Sequence, residues 1–175
     1  SLTGGGAFVL CTSHRAMREL AARATGQLRQ TVFVQGSAPK SVLLDRFRQN
    51  GHAVLFATAS FWEGVDVPGD ALRLVVIDKL PFGVPSDPLL AARCARIDEE
   101  GGSSFMDYLV PSAAIALKQG FGRLIRTRKD RGIVAVLDKR VVTKGYGKVF
   151  LQSLPPARRC ATREDVDRFW RGEGE

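Results

Sequence analysis

The sequence predicts an α/β domain with a mostly parallel central sheet covered by helices on both faces. Short, continuously apolar segments alternate with segments of helical periodicity, which is typical of parallel strands buried on both sides. The 175 residues suffice for one domain with a substantial core, and their 45% hydrophobic and 25% charged content is ordinary for a soluble globular protein. Since no internal repeat indicates a second domain, we expect one domain at 7–175, preceded at 1–6 by a linker or an artificial edge.

Five continuous apolar segments predict the strands. AFVLC ends at the polar residues TSH, and TVFVQG ends at Gly36, a residue type that commonly interrupts a strand. AVLFAT, LRLVVIDKL and GIVAVLD have the same apolar character. The expected strands are therefore 7–11, 31–36, 53–58, 72–80 and 132–138.

Segments of helical periodicity separate these strands. Ser13 is a suitable N-cap, and the apolar residues that follow it, beginning with Met17, recur at helical spacing. Pro39 can open a second helix, whose apolar face includes Phe47. Three prolines and a glycine in PFGVPSDP predict a loop at 81–88. Further helices are expected at 89–99, 111–126 and 162–170.

The net charge of +8 is concentrated in one segment. Residues 119–148 contain nine lysine or arginine residues and two aspartates, a net charge of +7. Such clustering indicates a polyanionic partner, which could be a nucleic acid, a nucleotide phosphate or an anionic lipid. Charge alone is equally compatible with a solvated basic face that has no partner.

Other features of the composition exclude several classes of protein. No apolar run approaches the ~20 residues that span a bilayer, so we expect no membrane partner. The first ten residues, SLTGGGAFVL, lack the basic region that opens a secretory signal. Cys11, Cys94 and Cys160 form no CxxC pair, so we expect no metal site in this chain. Three such thiols fit a reducing cytosol, and Cys11 is expected to be a buried small side chain.

The segment QGFGRLIR predicts a helix with two arginines on one face. At ~100° per residue, Gln119, Arg123 and Arg126 lie within about 60° of one another, opposite an apolar face, and Gly122 permits close approach of a ligand. Arginine donates two parallel hydrogen bonds to phosphate and can neutralise the charge that develops on a leaving phosphoryl group. A solvated basic helix end explains the same spacing equally well.

The segment ATASFWEGVDVPG, at 57–69, predicts a constrained turn after the third strand. Ligands of parallel sheets collect at the carboxyl ends of the strands, so this turn, the TSH after the first strand and the loop after the fifth are candidate binding segments. Glu63 and Asp66 could accept hydrogen bonds from a ribose or orient an arginine, while Thr58 and Ser60 could donate to a phosphate oxygen. An ordinary turn with solvated acids is the alternative.

Together these segments resemble the second RecA-like motor domain of superfamily 2 helicases, in the DinG/XPD-like branch. FVLCTS is similar to motif IV, ATASFWEGVDVPG to motif V, and QGFGRLIR to the motif VI pattern Q-x-x-G-R-x-x-R. IDKLPFGVPSDP is also typical of the branch. The resemblance covers about residues 7–155 and implies a RecA-like domain of three layers.

The resemblance also implies a role for individual residues. The residues that would complete the catalytic site are Gln119, Arg123 and Arg126, of which Arg126 is the preferred arginine finger. On the nucleotide side, Glu63, Gly64 and Asp66 would couple the nucleotide to the DNA, and Gly122 would allow a ligand to approach closely. The residues that would contact single-stranded DNA are Thr12, Ser13, His14, Thr58 and Ser60. For His14, an exposed position in the first helical turn is an equal alternative.

Several parts of a complete helicase are missing from this sequence. It has no G-x-x-x-x-G-K-[ST] segment and no D-E-x-H box, so ATP and Mg²⁺ would be held mainly by a first motor domain. In many members that first domain also carries a four-cysteine iron–sulfur cluster. The resemblance therefore implies half of a cytoplasmic, ATP-dependent DNA helicase of repair or replication, moving 5′-to-3′ and inactive alone. Its partners would be single-stranded DNA and the first RecA-like domain of the same polypeptide.

Three other functions fit parts of the sequence. A non-catalytic nucleic-acid-binding module on a degenerate motor fold is the main alternative, although a pure binder has little need of the Gln119–Arg123–Arg126 face. A small-molecule enzyme would be expected to show a G-x-G-x-x-G turn or a nucleophile beside a base, and the chain shows neither. The third alternative is an RNA helicase of the same superfamily, but the sequence of motif V resembles that of the DNA helicases of this branch.

Overall fold

The fold is described here from a computed structural model, which covers residues 2–58, 61, 67, 71–122 and 131–173. Five parallel strands form one sheet in the order β2-β3-β1-β4-β5. Their bounds are β1 Ala7–Cys11, β2 Val32–Val34, β3 Val54–Thr58, β4 Leu74–Ile77 and β5 Ile133–Val136. The predicted fold class is confirmed, because every expected strand is present and all pair in parallel.

Within the described ranges, helices connect the strands and follow the last one. Their bounds are α1 His14–Thr25, α2 Lys40–Asn50, α3 Pro88–Glu99, a π-helical segment Ser104–Leu109, α4 Val110–Gly122, α5 Arg140–Thr143, α6 Gly147–Ser153 and α7 Arg163–Arg171. Ser13 caps α1 as predicted, since its side chain accepts a hydrogen bond from the Ala16 N–H. None of the helices in the described ranges is long and apolar enough to cross a membrane.

The helices lie on both faces of the sheet. Met17 and Ala21 of α1 pack with Cys11 and Phe56 on one face. On the other face, Phe47 of α2, Leu117 of α4 and Phe150 of α6 pack against alternate strand residues. The strands are therefore apolar on both sides, which explains why their sequences lack polar alternation.

The register of the strands brings their carboxyl ends to one level. Cys11 is paired with Thr58, Leu10 with Ile77, and Ile77 with Val136. The residues that follow β1, β3, β4 and β5 therefore meet along one edge of the sheet, which we call the carboxyl edge.

The opposite edge is closed by the glycine-rich segment at 4–6. Gly5 has a φ of +108°, and a Cβ atom there would lie 1.9 Å from the His52 carbonyl oxygen. The carbonyl of Gly6 accepts a hydrogen bond from the Arg73 N–H at 2.8 Å. Glycine is thus required at position 5, because the backbone conformation is unfavourable for other residues and a side chain would have no space.

Candidate nucleotide and nucleic-acid interface

The end of β1 exposes three polar residues at the carboxyl edge. Thr12, Ser13 and His14 are all exposed, and α1 begins at His14. The Ser13 Oγ accepts a hydrogen bond from the Ala16 N–H at 3.1 Å, which leaves its hydroxyl proton available to another acceptor. The helix start adds partial positive charge from its N–H groups, which is favourable for a nearby anion.

Asp78 fixes the position of this end of β1. Its carboxylate accepts a hydrogen bond from the Thr12 N–H at 3.2 Å, and its own N–H donates to the Leu10 carbonyl at 3.1 Å. Burial raises the pKa of Asp78, with a smaller contribution from the Asp138 carboxylate. Hydrogen bonds from the backbone of Lys79 and Thr12 act in the opposite direction.

Cys11 is a packing residue, as predicted. It is buried, and burial, with help from the Asp78 charge, raises the pKa of its thiol to about 11. A thiol with that pKa stays protonated at neutral pH and is a poor nucleophile.

The end of β3 is held by a glutamine from the neighbouring strand. The side-chain oxygen of Gln35 accepts hydrogen bonds from the Thr58 N–H at 2.8 Å and from the Thr58 hydroxyl at 3.0 Å. Thr58 itself is buried. In this arrangement the Thr58 hydroxyl donates within the protein, and its contact with DNA stays a prediction.

Helix α4 brings Gln119 to the same edge. Gln119 is exposed and lines a cavity of about 70 Å³ whose other walls include Thr12 and Lys79 at the ends of β1 and β4. Leu10, Pro81 and Leu117 form part of the apolar lining. A residue of the predicted catalytic face and one of the predicted DNA-contacting residues therefore border one cavity.

The described part of α4 has the two faces that the sequence predicts. Ala114 and Leu117 are buried, whereas Gln119 and Gly122 are exposed. A Cβ atom on Gly122 would have no neighbour within 4 Å, so space for a close approach is present there. The helix was predicted to continue to residue 126, and 123–130 lie outside the described residues.

The other predicted site residues also fall outside the described ranges. These are Arg123 and Arg126 of the arginine face, and Ser60, Glu63, Gly64 and Asp66 of the turn after β3. Their assigned roles stay predictions.

At the end of β5, a buried carboxylate joins two neighbouring segments. Asp138 accepts hydrogen bonds from the Arg140 guanidinium at 2.6 and 3.0 Å and from the Leu80 N–H at 3.0 Å. The Arg140 hydrogen bonds hold the pKa of Asp138 well below its usual range, against the effect of burial. The pair ties Leu80, in the segment that follows β4, to the start of α5.

Three residues that position or line the site were not singled out from the sequence. Gln35 and Asp78 directly follow strand ends, and Lys79 follows Asp78. The strand-end rule did not select Asp78 and Lys79, because both lay inside the strand predicted at 72–80, whereas β4 ends at Ile77. No signal in the sequence pointed to Gln35, because its bond to Thr58 depends on β2 and β3 being neighbours.

Within the described residues, no group of three or more His, Cys, Asp or Glu side chains is placed to hold a metal ion. The cavity lining is mostly apolar, and the hydrogen-bond donors among the side chains of its residues are the Thr12 hydroxyl, the Gln119 amide and the Lys79 ammonium group. These are donors suited to phosphate oxygens, whereas Mg²⁺ prefers carboxylate and carbonyl ligands.

Residues 1–157 match the family of the helicase C-terminal domain. The chain belongs to this family. It is 52% identical over 165 residues to the ATP-dependent DNA helicase YoaA of Escherichia coli, covering 94% of this chain and 26% of that protein. It is 44% identical over 153 residues to the ATP-dependent helicase DinG of Mycobacterium tuberculosis, covering 87% and 23% of the two chains.

A solved XPD helicase has the same fold. The two structures superpose with a TM-score of 0.63 at 22% identity, over 83% of this chain and 27% of the other. The predicted membership of the DinG/XPD-like branch, as its C-terminal motor domain, is therefore confirmed. The chain spans about a quarter of the length of the two curated relatives.

Proposed function

We propose that this domain is the second motor domain of an ATP-dependent DNA helicase. It would hold single-stranded DNA and complete the ATP site of a first motor domain in the same polypeptide. The observation that carries the proposal is that Thr12, a predicted DNA-contacting residue after β1, and Gln119, a predicted nucleotide-facing residue of α4, line one cavity. The names of the relatives, which are ATP-dependent helicases, support the same function.

On the nucleotide side, the working groups would be amide and guanidinium donors. Arg123 and Arg126 follow Gln119 by four and seven residues, so on a continued helix all three would share one face. Arg126 would act as the arginine finger, neutralising charge on the terminal phosphoryl group, and Arg123 would contact the same phosphate. Mg²⁺ would be held on the first domain, because this sequence has no G-x-x-x-x-G-K-[ST] segment and no D-E-x-H box.

On the DNA side, Thr12, Ser13 and His14 would bind the sugar–phosphate backbone. Their exposure and their position at the start of α1 suit an anionic ligand. Contacts to phosphate carry no sequence information, which suits a protein that must move along DNA of any sequence. Ser60 would extend the contact toward β3.

The two sides would be coupled by closing and opening of the cleft between the motor domains. Closure would bring Arg123 and Arg126 to the γ-phosphate, and loss of that phosphate would remove the attraction and let the domains separate. Glu63, Gly64 and Asp66 would transmit this change to the bound DNA. The 5′-to-3′ direction, the cytosolic location and the role in DNA repair or replication come from the family resemblance.

The proposal is tested with the full-length protein by measuring ATP hydrolysis and DNA affinity at one salt concentration. Single-stranded DNA is expected to stimulate hydrolysis. Thr12→Val removes one hydroxyl and is expected to weaken DNA binding by roughly two- to tenfold, with turnover at saturating DNA unchanged. Thr25→Val is the matched control, because the Thr25 hydroxyl lies at the far end of α1 and donates to the Ala21 carbonyl.

The main alternative gives a different result in the same experiment. A non-catalytic nucleic-acid-binding module would bind single-stranded DNA with no DNA-stimulated ATP hydrolysis. That outcome would contradict the motor function while leaving the DNA contacts in place.

A further inference from the structure

Four aromatic rings form a cluster beside the carboxyl edge. Phe82 follows the end of β4, Phe105 lies in the π-helical segment, and Tyr146 and Phe150 flank the start of α6. The Phe82 and Phe105 rings stack with centroids 5.7 Å apart, and the Phe105 and Tyr146 rings meet edge to face at 5.1 Å. Phe150 lies beneath them, 5.8 Å from Phe82.

The exposure of these rings increases from the core outward. Phe150 is fully buried, Phe82 and Tyr146 are half-buried, and Phe105 remains 39% exposed. We call the outer three residues, Phe82, Phe105 and Tyr146, the aromatic platform. The packed rings below and beside Phe105 hold it in place, so its exposed surface is rigid and could receive a flat ligand at low entropic cost.

The charges around the aromatic platform are predominantly positive. The Arg140 guanidinium lies 5.4 Å from the centroid of the Phe82 ring. Lys139 is next to Arg140 in the sequence, and Lys144 and Lys148 are each two residues from Tyr146. All three are exposed, and none forms an ion pair within the part of the chain that the structure describes. The nearby acid Asp138 is already paired with Arg140.

One further acid lies on the element that carries Phe105. The Asp107 carboxylate accepts a hydrogen bond from the Ser103 N–H at 2.8 Å, at the start of the same helical segment. It is therefore engaged by its own helix start. The Asp98 carboxylate also lies beside this segment, where it accepts hydrogen bonds from the Ser104 N–H at 2.7 Å and from the Ser104 hydroxyl at 2.8 Å. The four basic residues outnumber these three acids, and each acid has a hydrogen-bonding partner in the fold.

We propose that the aromatic platform stacks a base of single-stranded DNA while the surrounding lysines contact its phosphates. Exposed aromatic rings within a basic surface are the combination that binds unpaired bases without sequence preference. It would add base contacts to the strand of DNA whose phosphates Thr12 would hold. At ~4.8 Å between neighbouring strands, β5, which precedes Lys139, ends roughly 10 Å along the carboxyl edge from the end of β1.

This inference rests on the proposed function, because it requires that the domain contacts single-stranded DNA. It adds that the domain contacts bases as well as phosphates. A protein surface docking on the same rings is the competing occupant, and such surfaces are usually depleted in lysine.

The test compares two oligonucleotides of equal length and charge, oligo-dT and an abasic strand, bound to the full-length protein at one salt concentration. Phe105→Leu keeps an apolar side chain but removes the ring. We expect it to weaken oligo-dT binding about fivefold or more and to leave abasic-strand binding unchanged. Phe105→Trp should retain or improve oligo-dT affinity. Met106→Leu, at the exposed neighbouring position, is the control and should change neither affinity.

Three outcomes overturn the inference. They are wild-type affinity of Phe105→Leu for oligo-dT, an equal loss of affinity for both strands, and a loss of ATP turnover alone, as expected of a docking site for another domain. Absence of any DNA binding by the wild-type protein would instead contradict the proposed function.

A second measurement needs no variant and covers the case in which Phe105→Leu fails to fold. Oligonucleotides containing 5-iodouracil are cross-linked by light to the wild-type protein, and the linked peptides are identified by mass spectrometry. Linkage to Phe105 or Tyr146 supports the inference. Linkage confined to other segments overturns it.

Discussion

Asp78 and Asp138 lie at the same edge of the sheet, yet their pKa values are shifted in opposite directions. Asp138 is paired with Arg140, whose hydrogen bonds favour the ionised form. Among the described residues, no cation is hydrogen-bonded to the Asp78 carboxylate. Burial therefore outweighs the attraction of the neighbouring Lys79 charge and favours the neutral form. The sign of each shift determines how each residue contributes to stability at different pH values.

Asp138→Asn is expected to lower the free energy of unfolding at pH 7 by about 1.5–3 kcal/mol, because charge-assisted hydrogen bonds to Arg140 are lost. The folded-state pKa of Asp138 is lowered, so its stabilising contribution is complete above the unfolded-state pKa of about 4 and is lost as pH falls further. Urea unfolding of wild type and variant should show a stability gap at pH 7 that narrows below pH ~4. A gap that does not depend on pH would contradict this assignment.

Asp78→Asn is expected to act in the opposite direction. The raised pKa means that ionised Asp78 costs stability at neutral pH, and the amide oxygen of asparagine can still accept the Thr12 N–H. The variant should therefore unfold at a higher urea concentration than wild type at pH 7. The difference should disappear as pH falls below about 4, where the carboxyl is protonated in both states. A less stable variant at pH 7 would show that the carboxylate charge itself is needed.

At the scale of elements, helix α4 can be tested through its last residue. Gly122→Ala should raise the free energy of unfolding by a few tenths to about 1 kcal/mol, because the position is open and alanine favours helix. In the full-length protein the same change should lower ATP turnover if a ligand approaches Gly122 closely. Gly26→Ala, at the equally open end of α1, is the control and should leave turnover unchanged. Normal turnover in Gly122→Ala would remove Gly122 from the nucleotide side.

The elements differ in how well the sequence predicts them. The strand 7–11 has the predicted bounds because it is apolar throughout and paired on both sides. The strand predicted at 31–36 is shortened to Val32–Val34, because β2 has only β3 as a partner and pairs over three residues. Helices α5 and α6 and the π-helical segment were missed, since four to seven residues are too few to establish helical periodicity.

The candidate site follows the same pattern. Thr12, Ser13 and His14 were predictable because they directly follow an unmistakable strand, and Gln119 because the apolar residues of α4 define its opposite face. The bond between Gln35 and Thr58 and the cavity joining Lys79 to Gln119 were not, because both depend on which strands and helices are neighbours in space. The aromatic platform likewise brings together residues from positions 82, 105 and 146, which no local pattern connects.

At the scale of the whole molecule, the proposed function requires a cleft in which this domain would supply one wall and a first motor domain the other. The relatives are about four times longer than the matched segment. The described surface offers donors to phosphate at the end of β1 and on α4, which is the complement expected of a domain that closes on a nucleotide bound elsewhere.

The central claim is that Arg126 completes the ATP site of the neighbouring domain. It is tested most directly by DNA-stimulated ATP turnover of full-length Arg126→Ala, with ATP affinity and DNA affinity measured in parallel. Arg15→Ala, which removes an exposed arginine paired with Glu19 on α1, is the control. The account predicts that Arg126→Ala lowers turnover by about 10³-fold or more while DNA affinity stays close to that of wild type. Turnover equal to that of wild type would contradict it.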